Sequence, residues 1–288
     1  MHFCKHLSCF LNNYVTFVHK NGVKRLFCMM KQPQLDEYLL GQGVVAFSST
    51  RLEGYGTGPY AAFNINTYCG DNEEAIQKNR KALCQWLGIA DDHLLMPHQV
   101  HLTEIALVDD SLMQLPVQQQ LEKLEGKDAV MTNLRGVCIG VSTADCIPVL
   151  LYDPQQQVVC AIHAGWRGTV SRIVEKSIQT LQQTFGTHPS DLIAQIGPGI
   201  SLESFEVGDE VYDAFAQAGF NMQSISRKES KWHIDLPVCN RQQLLQMGVA
   251  EQNIHVSSAC TFIQHDRYFS ARRLGIRSGR IYTGIMLK

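Results

Sequence analysis

Three almost unbroken apolar runs, at 137–142, 147–152 and 158–162, crowd into one stretch of the chain. Runs without polar alternation read as strands covered on both faces. The gaps between them are too short for a helical crossover, which needs about a dozen residues or more, so the sheet order is expected to be mixed rather than purely parallel. Further strands are predicted at 44–48, 61–65, 104–108, 192–196 and 281–286. Helical spacing of apolar positions predicts helices near 72–87, 169–185, 208–218 and 240–247. In the first of these Ile76, Leu83 and Leu87 share a face, Asp71 or Asn72 serves as cap, and Gly88 is the stop. The glutamine-rich 114–120 and polar 224–231 stretches read as surface loops or helix edges. The reading is a single α/β (α+β) domain over residues 31–288. Residues 1–30 are expected to be an extension without regular structure, because Met29 and Met30 precede the first clear element.

Composition narrows the function. Hydrophobic residues at 45% and charged residues at 18% suit a folded core. The net charge of −2, with both signs interleaved, offers no field for a nucleic-acid backbone or an anionic membrane surface. The ten cysteines include no CxxC pair, so no structural zinc knuckle is encoded. Cys138 and Cys160 fall inside apolar runs, as small buried hydrophobes do in a reducing compartment. Charged and polar residues interrupt the first thirty positions, so no export signal or membrane span is expected and the location is read as cytoplasmic.

The unusual residues gather at strand ends. Thr143-Ala144-Asp145-Cys146-Ile147-Pro148 interrupts two apolar runs. His163-Ala164-Gly165-Trp166-Arg167-Gly168 begins seventeen positions after the cysteine, where a strand ends and a helix opens. Neighbouring strands would bring Cys146 and His163 together at one end of a sheet. Upstream, His98-Gln99-Val100-His101 precedes another strand, and His101 is the favoured ligand of that pair. Two imidazoles and a thiolate suit zinc and leave one coordination position open, as a catalytic site requires. The same residues also fit a metal-free pair, with Cys146 as nucleophile, His163 as base, and Asp145 or Gln99 orienting the imidazole. Gly54-Tyr55-Gly56-Thr57-Gly58-Pro59 lacks the context of a nucleotide loop and reads as a lid or turn near substrate. Arg167 and the Arg272-Arg273 pair are candidates for an anion.

These residues resemble the YfiH family, also called the laccase-domain or polyphenol oxidase family, from about Val44 to the C-terminus. The matching pieces are Ser49-Thr50-Arg51, Phe63-Asn64-Ile65, Gly70-Asp71, Asn79-Arg80, Gln99-Val100-His101, the two motifs around Cys146 and His163, Ile196-Gly197-Pro198-Gly199-Ile200, Phe205-Glu206-Val207-Gly208 and Ser270-Ala271-Arg272-Arg273. Leu102 and Gly199 depart from the family pattern, in which a glycine commonly follows the histidine and a cysteine often follows the Gly-Pro pair. The resemblance implies mixed sheets sandwiched between helices, and zinc, with copper as the other metal, on His101, Cys146 and His163. It also implies phosphorolysis of adenosine, inosine and methylthioadenosine together with adenosine deamination, so that a small nucleoside and phosphate are the partners. In that frame the metal site and Arg167 are catalytic, Arg51, Arg167 or Arg273 takes phosphate, and Asn64 and Gln99 join the substrate-binding set. Two alternatives carry over: a Cys/His hydrolase editing peptidoglycan precursors, and a copper polyphenol oxidase, for which the repeated HxH pairs are missing. No oligomeric state is specified.

Overall fold

The computed structural model describes residues 31–288 and, before them, the backbone of strands Tyr14–Val18 and Lys24–Cys28, which pair antiparallel. The extension expected over the rest of residues 1–30 lies outside the described residues. Two large sheets dominate. One has six strands in the order Ile254–Val256, Ile193–Ile196, Ile147–Asp153, Val158–Ala164, Ala129–Thr132 and Ile105–Leu107. The other has five, in the order Leu35–Tyr38, Val44–Ser49, Ile281–Leu287, Cys138–Thr143 and Leu94–Leu95. Both mix parallel and antiparallel neighbours, as expected. A three-stranded antiparallel sheet, Glu206–Val207, Trp232–Ile234 and Ser226–Lys228, is not hydrogen-bonded to either but adds Val207 and Ile234 to the core of the six-stranded sheet.

The apolar runs follow from the layering. Alternate residues of the six-stranded sheet, Leu150, Tyr152, Val159 and Ala161, pack against Ile139, Val141 and Ile285 of the five-stranded sheet. The intervening residues, Val149, Leu151, Cys160 and Ile162, face Ile173, Val174, Ile178 and Leu181 of helix Ile173–Phe185 and Leu244 of helix Leu236–Gln246. On the far side of the five-stranded sheet, Phe47, Cys138 and Tyr282 meet Ala82, Leu83 and Cys84 of helix Glu73–Leu87. Helix, sheet, sheet and helix thus form the sandwich that the resemblance implied. With both faces covered, these strands have no use for polar alternation.

Local signals placed several elements and misplaced others. Asn72 caps the first long helix and Gly88 ends it in the left-handed conformation. Strands 138–143 and 147–153, close in sequence, do not pair: the chain leaves one sheet at 144–146 and enters the other. The helix expected over 169–185 is two, Trp166–Val170 and Ile173–Phe185, separated by Arg172 at φ +63°. The last expected helix begins earlier, at Leu236, because Asp235 caps it and Pro237 suits its first turn. Segment 61–65 is not a strand. Its backbone is held by the carbonyl of Arg51 and the buried side chain of Asn79, so its apolar residues fill a core without a sheet neighbour. The glycine loop at 54–59 is packed at its start, where a Cβ at Gly54 would lie 2.2 Å from the Ala62 carbonyl oxygen, and exposed at Thr57, Gly58 and Pro59. Among the described residues no helix is long and apolar enough to cross a membrane.

Candidate metal centre

Strand register brings the site together. Antiparallel pairing sets His163 opposite Pro148 and Ala164 opposite Ile147, so Cys146 at the sheet-switching turn lies beside the end of the strand carrying His163. His101 comes from the loop before Ile105–Leu107 and adopts φ +64°, a conformation that non-glycine residues hold only when their surroundings impose it. Asp128 imposes it. This fully buried carboxylate accepts hydrogen bonds from the backbone N–H groups of His101 (2.9 Å), Leu102 (2.8 Å) and Val100 (3.3 Å). It also accepts one from His163 Nδ1–H at 2.7 Å, while its own carbonyl receives the His163 N–H. One residue therefore fixes both histidines.

The ligand atoms of His101, Cys146 and His163 all lie within 4.8 Å of one another, and the two imidazole rings stand nearly perpendicular with centroids 4.8 Å apart. Metal bonds of about 2.0–2.3 Å to nitrogen and sulfur can be reached from such a cluster by small side-chain shifts. Because Nδ1 of His163 is spent on Asp128, Nε2 is left as the ligand atom, and a carboxylate behind a ligating histidine is the usual support of a metal site. Gly165 explains the glycine of its motif: a Cβ there would lie 3.0 Å from His101 Cδ2 and 3.1 Å from Cys146 Sγ. The donor set fits a single zinc or copper ion.

Electrostatics point the same way. Burial raises the pKa of the Cys146 thiol, but the neighbouring His163 and His101 outweigh it and bring the thiol down to about 6. Burial likewise disfavours a charged His163, yet Cys146 and Asp128 lift it to about 9. Burial works to raise the Asp128 carboxyl as well, and His163 with the loop N–H groups holds it below its ordinary value. Without metal, the pair is a thiolate facing an imidazolium.

The cluster forms one wall of a cavity of about 320 Å³, whose other walls include Asn66, Tyr68, Cys69, His98, Gln99, Ser142 and Arg280. Gln99 lines the cavity but does not orient an imidazole: its amide makes two hydrogen bonds, 2.8 and 2.7 Å, to the backbone of Ser142. Asp145 does not orient one either, since its carboxylate accepts from Thr261 Oγ1 and the Arg272 N–H, both at 2.7 Å. His98 stacks on Tyr68 at 4.2 Å and bonds Glu125 at 2.6 Å, away from the donor cluster. Asn64 is fully buried behind the wall, donating to Asp71 and accepting from the backbone of Asn66 and Arg280.

None of the expected arginines lines the cavity. Arg51 donates to the carbonyls of Ala61 and His265 and lies over Phe269. Arg167 is exposed over Trp166, and Arg273 is exposed over Phe262. Motif position singled them out, but the turns carry them elsewhere. Asp128 and Arg280 were missed. The only trace of Asp128 in the sequence is a lone acid opening an apolar segment, and that of Arg280 a lone cation between a Ser-Gly turn and the last strand.

Comparison with known proteins finds relatives along most of the chain. The family described as multi-copper polyphenol oxidoreductase laccase matches residues 45–288. A purine nucleoside phosphorylase of Bacteroides thetaiotaomicron is 47% identical over 244 residues, 84% of this chain and 90% of the relative. An adenosine deaminase from an unknown prokaryotic organism is 41% identical, covering 90% of this chain and all of the relative (100%). The crystal structure of YlmD from Geobacillus stearothermophilus superposes with a TM-score of 0.82 at 29% identity, over 90% of this chain and 99% of that one.

Proposed function

Because the chain belongs to the family described as multi-copper polyphenol oxidoreductase laccase, with relatives named as purine nucleoside phosphorylases and an adenosine deaminase, we propose that it is a zinc-dependent purine nucleoside phosphorylase that also deaminates adenosine. Adenosine, inosine and methylthioadenosine are its substrates in this reading. One observation carries it: a carboxylate-supported His-Cys-His cluster opens onto a cavity of about 320 Å³, within the range of small-molecule sites. His101, Cys146 and His163 would hold the zinc, which when bound supplies Lewis acidity toward a substrate group or water. Asp128 holds the imidazole of His163 in one tautomer, and Gln99 fixes the cavity wall to the strand edge.

A copper polyphenol oxidase of the laccase type needs several metal sites, whereas among the described residues His101, Cys146 and His163 form the one cluster of three or more such donors. The lowered thiol and raised imidazole do favour a second reading, a metal-free hydrolase in which Cys146 attacks and His163 transfers the proton. Its substrate would be an amide such as a peptidoglycan precursor. The seven free thiols among the described residues agree with a cytoplasmic setting for either enzyme.

Release of hypoxanthine from inosine, followed with and without phosphate on chelator-stripped and zinc-restored protein, tests the proposal. Release that requires both phosphate and zinc supports it. Activity undiminished by stripping moves the assignment to the Cys-His hydrolase, and zinc binding without base release removes the phosphorylase.

A further inference from the structure

A phosphorolytic site must bind an oxyanion beside the nucleoside, and among the described residues Arg280 is the one arginine or lysine lining the cavity. No aspartate or glutamate among the described residues lines that cavity. Among the described residues Arg280 forms no ion pair. Its charge therefore reaches the cavity without a neutralising partner.

The guanidinium is also held in place. Nη1 donates to the carbonyls of Ser278 (2.6 Å) and Gly279 (3.0 Å), and Nη2 donates to that of Ile276 (2.9 Å). Its backbone N–H is anchored on the buried Asn64 at 3.1 Å. Of the five guanidinium donors, Nε–H and one hydrogen on Nη2 remain without a partner among the described residues. An arginine whose rotamer is fixed by carbonyls and which keeps two donors free is prepared for a tetrahedral oxyanion with little ordering left to do.

We propose that Arg280 forms the phosphate subsite of this enzyme, the role that the sequence motifs had suggested for Arg51, Arg167 or Arg273. The assignment rests on the phosphorylase reading. In the reaction a phosphate oxygen bonds to C1′ of the nucleoside while the C1′–N9 bond breaks. The electron pair goes to N9, and the proton of the attacking phosphate hydroxyl ends on the purine, giving ribose 1-phosphate and free base. Deamination of adenosine consumes water and releases ammonia, so it makes no use of the subsite.

That difference provides the test. Zinc-loaded wild type, Arg280→Gln and Arg280→Lys are assayed for inosine phosphorolysis over a range of phosphate concentrations and for adenosine deamination without phosphate. Thermal melting of each protein is recorded with and without added phosphate. Losing a charge-assisted pair predicts a rise of about ten- to hundredfold in the phosphate KM for Arg280→Gln, with a smaller rise for Arg280→Lys, which keeps charge but not the fork. The rise in phosphate KM should exceed any change in adenosine deamination, and the upward shift in melting temperature with phosphate should vanish in Arg280→Gln. Phosphate KM values unchanged in both variants overturn the subsite while leaving the phosphorylase reading intact, and so does equal loss of both activities. Wild type that releases no base with phosphate overturns that reading and the subsite together.

Discussion

Replacing Asp128 by asparagine keeps the volume of a fully buried side chain but removes one of its two acceptor oxygens. In the native protein Oδ1 accepts from His163 Nδ1–H and the His101 N–H, and Oδ2 accepts from the N–H groups of Leu102 and Val100. Whichever way the asparagine amide turns, its NH2 group faces two N–H donors. Hydrogen bonds to a charged group contribute about 1.5–3 kcal/mol each, and one of the four, at 3.3 Å, is long. After partial relaxation the variant should lose about 3 kcal/mol of stability, which for a chain of this size lowers Tm by roughly 6–12 °C. Loosening the support of a ligating histidine typically weakens metal binding by about ten- to hundredfold. The assay is zinc competition against a chromophoric chelator, run on variant that melts cooperatively, beside a thermal melt. Zinc affinity within twofold of wild type and an unchanged Tm would refute the claim that one carboxylate holds both histidines.

Metal-stripped protein should be alkylated at Cys146 by iodoacetamide at a rate that climbs as pH rises through about 6, because thiolate is the nucleophile and the imidazoles hold the thiol below its ordinary 9.0. A midpoint between 8 and 9 would contradict the pairing with His163. Gly165→Ala has an ordinary φ of −67°, so its cost lies in the Cβ pressed against His101 and Cys146. Zinc affinity should fall by about tenfold or more with little change in far-UV circular dichroism, and wild-type affinity would show that the cluster has room to spare. Gln99→Ala loses two hydrogen bonds to Ser142, and a stability loss of about 2 kcal/mol should lower Tm by roughly 4–8 °C. An unchanged melt would mean that water replaces the amide without cost.

The legible parts of this molecule were those in which a residue's local neighbours decide its state. Unbroken apolar runs became strands covered on both faces, and Asn72 and Gly88 bounded a helix as their types require. Cys146 and His163 converge because their strands are consecutive and antiparallel, which short connections favour. Sheet membership was not legible: the connection at 144–146 is as short as a hairpin loop, yet it joins strands of two stacked sheets. Asp128 was invisible because its role comes from three N–H groups and an imidazole supplied by segments 26 to 35 positions away. The placement of the arginines was hidden for a related reason. Conspicuous motif neighbours drew attention to Arg51 and Arg273, but whether a long side chain faces a cavity depends on the turns around it, and those turns instead admit Arg280.

The most direct test of the central claim is a titration of zinc into stripped protein, with bound metal and the rate of phosphate-dependent base release measured on the same samples. The account predicts a rate that starts near zero, rises in proportion to bound zinc and levels off at one ion per chain, with Cys146→Ala flat throughout. Full activity before zinc is added, or a rise that continues to several ions per chain, would contradict a single metal held by His101, Cys146 and His163.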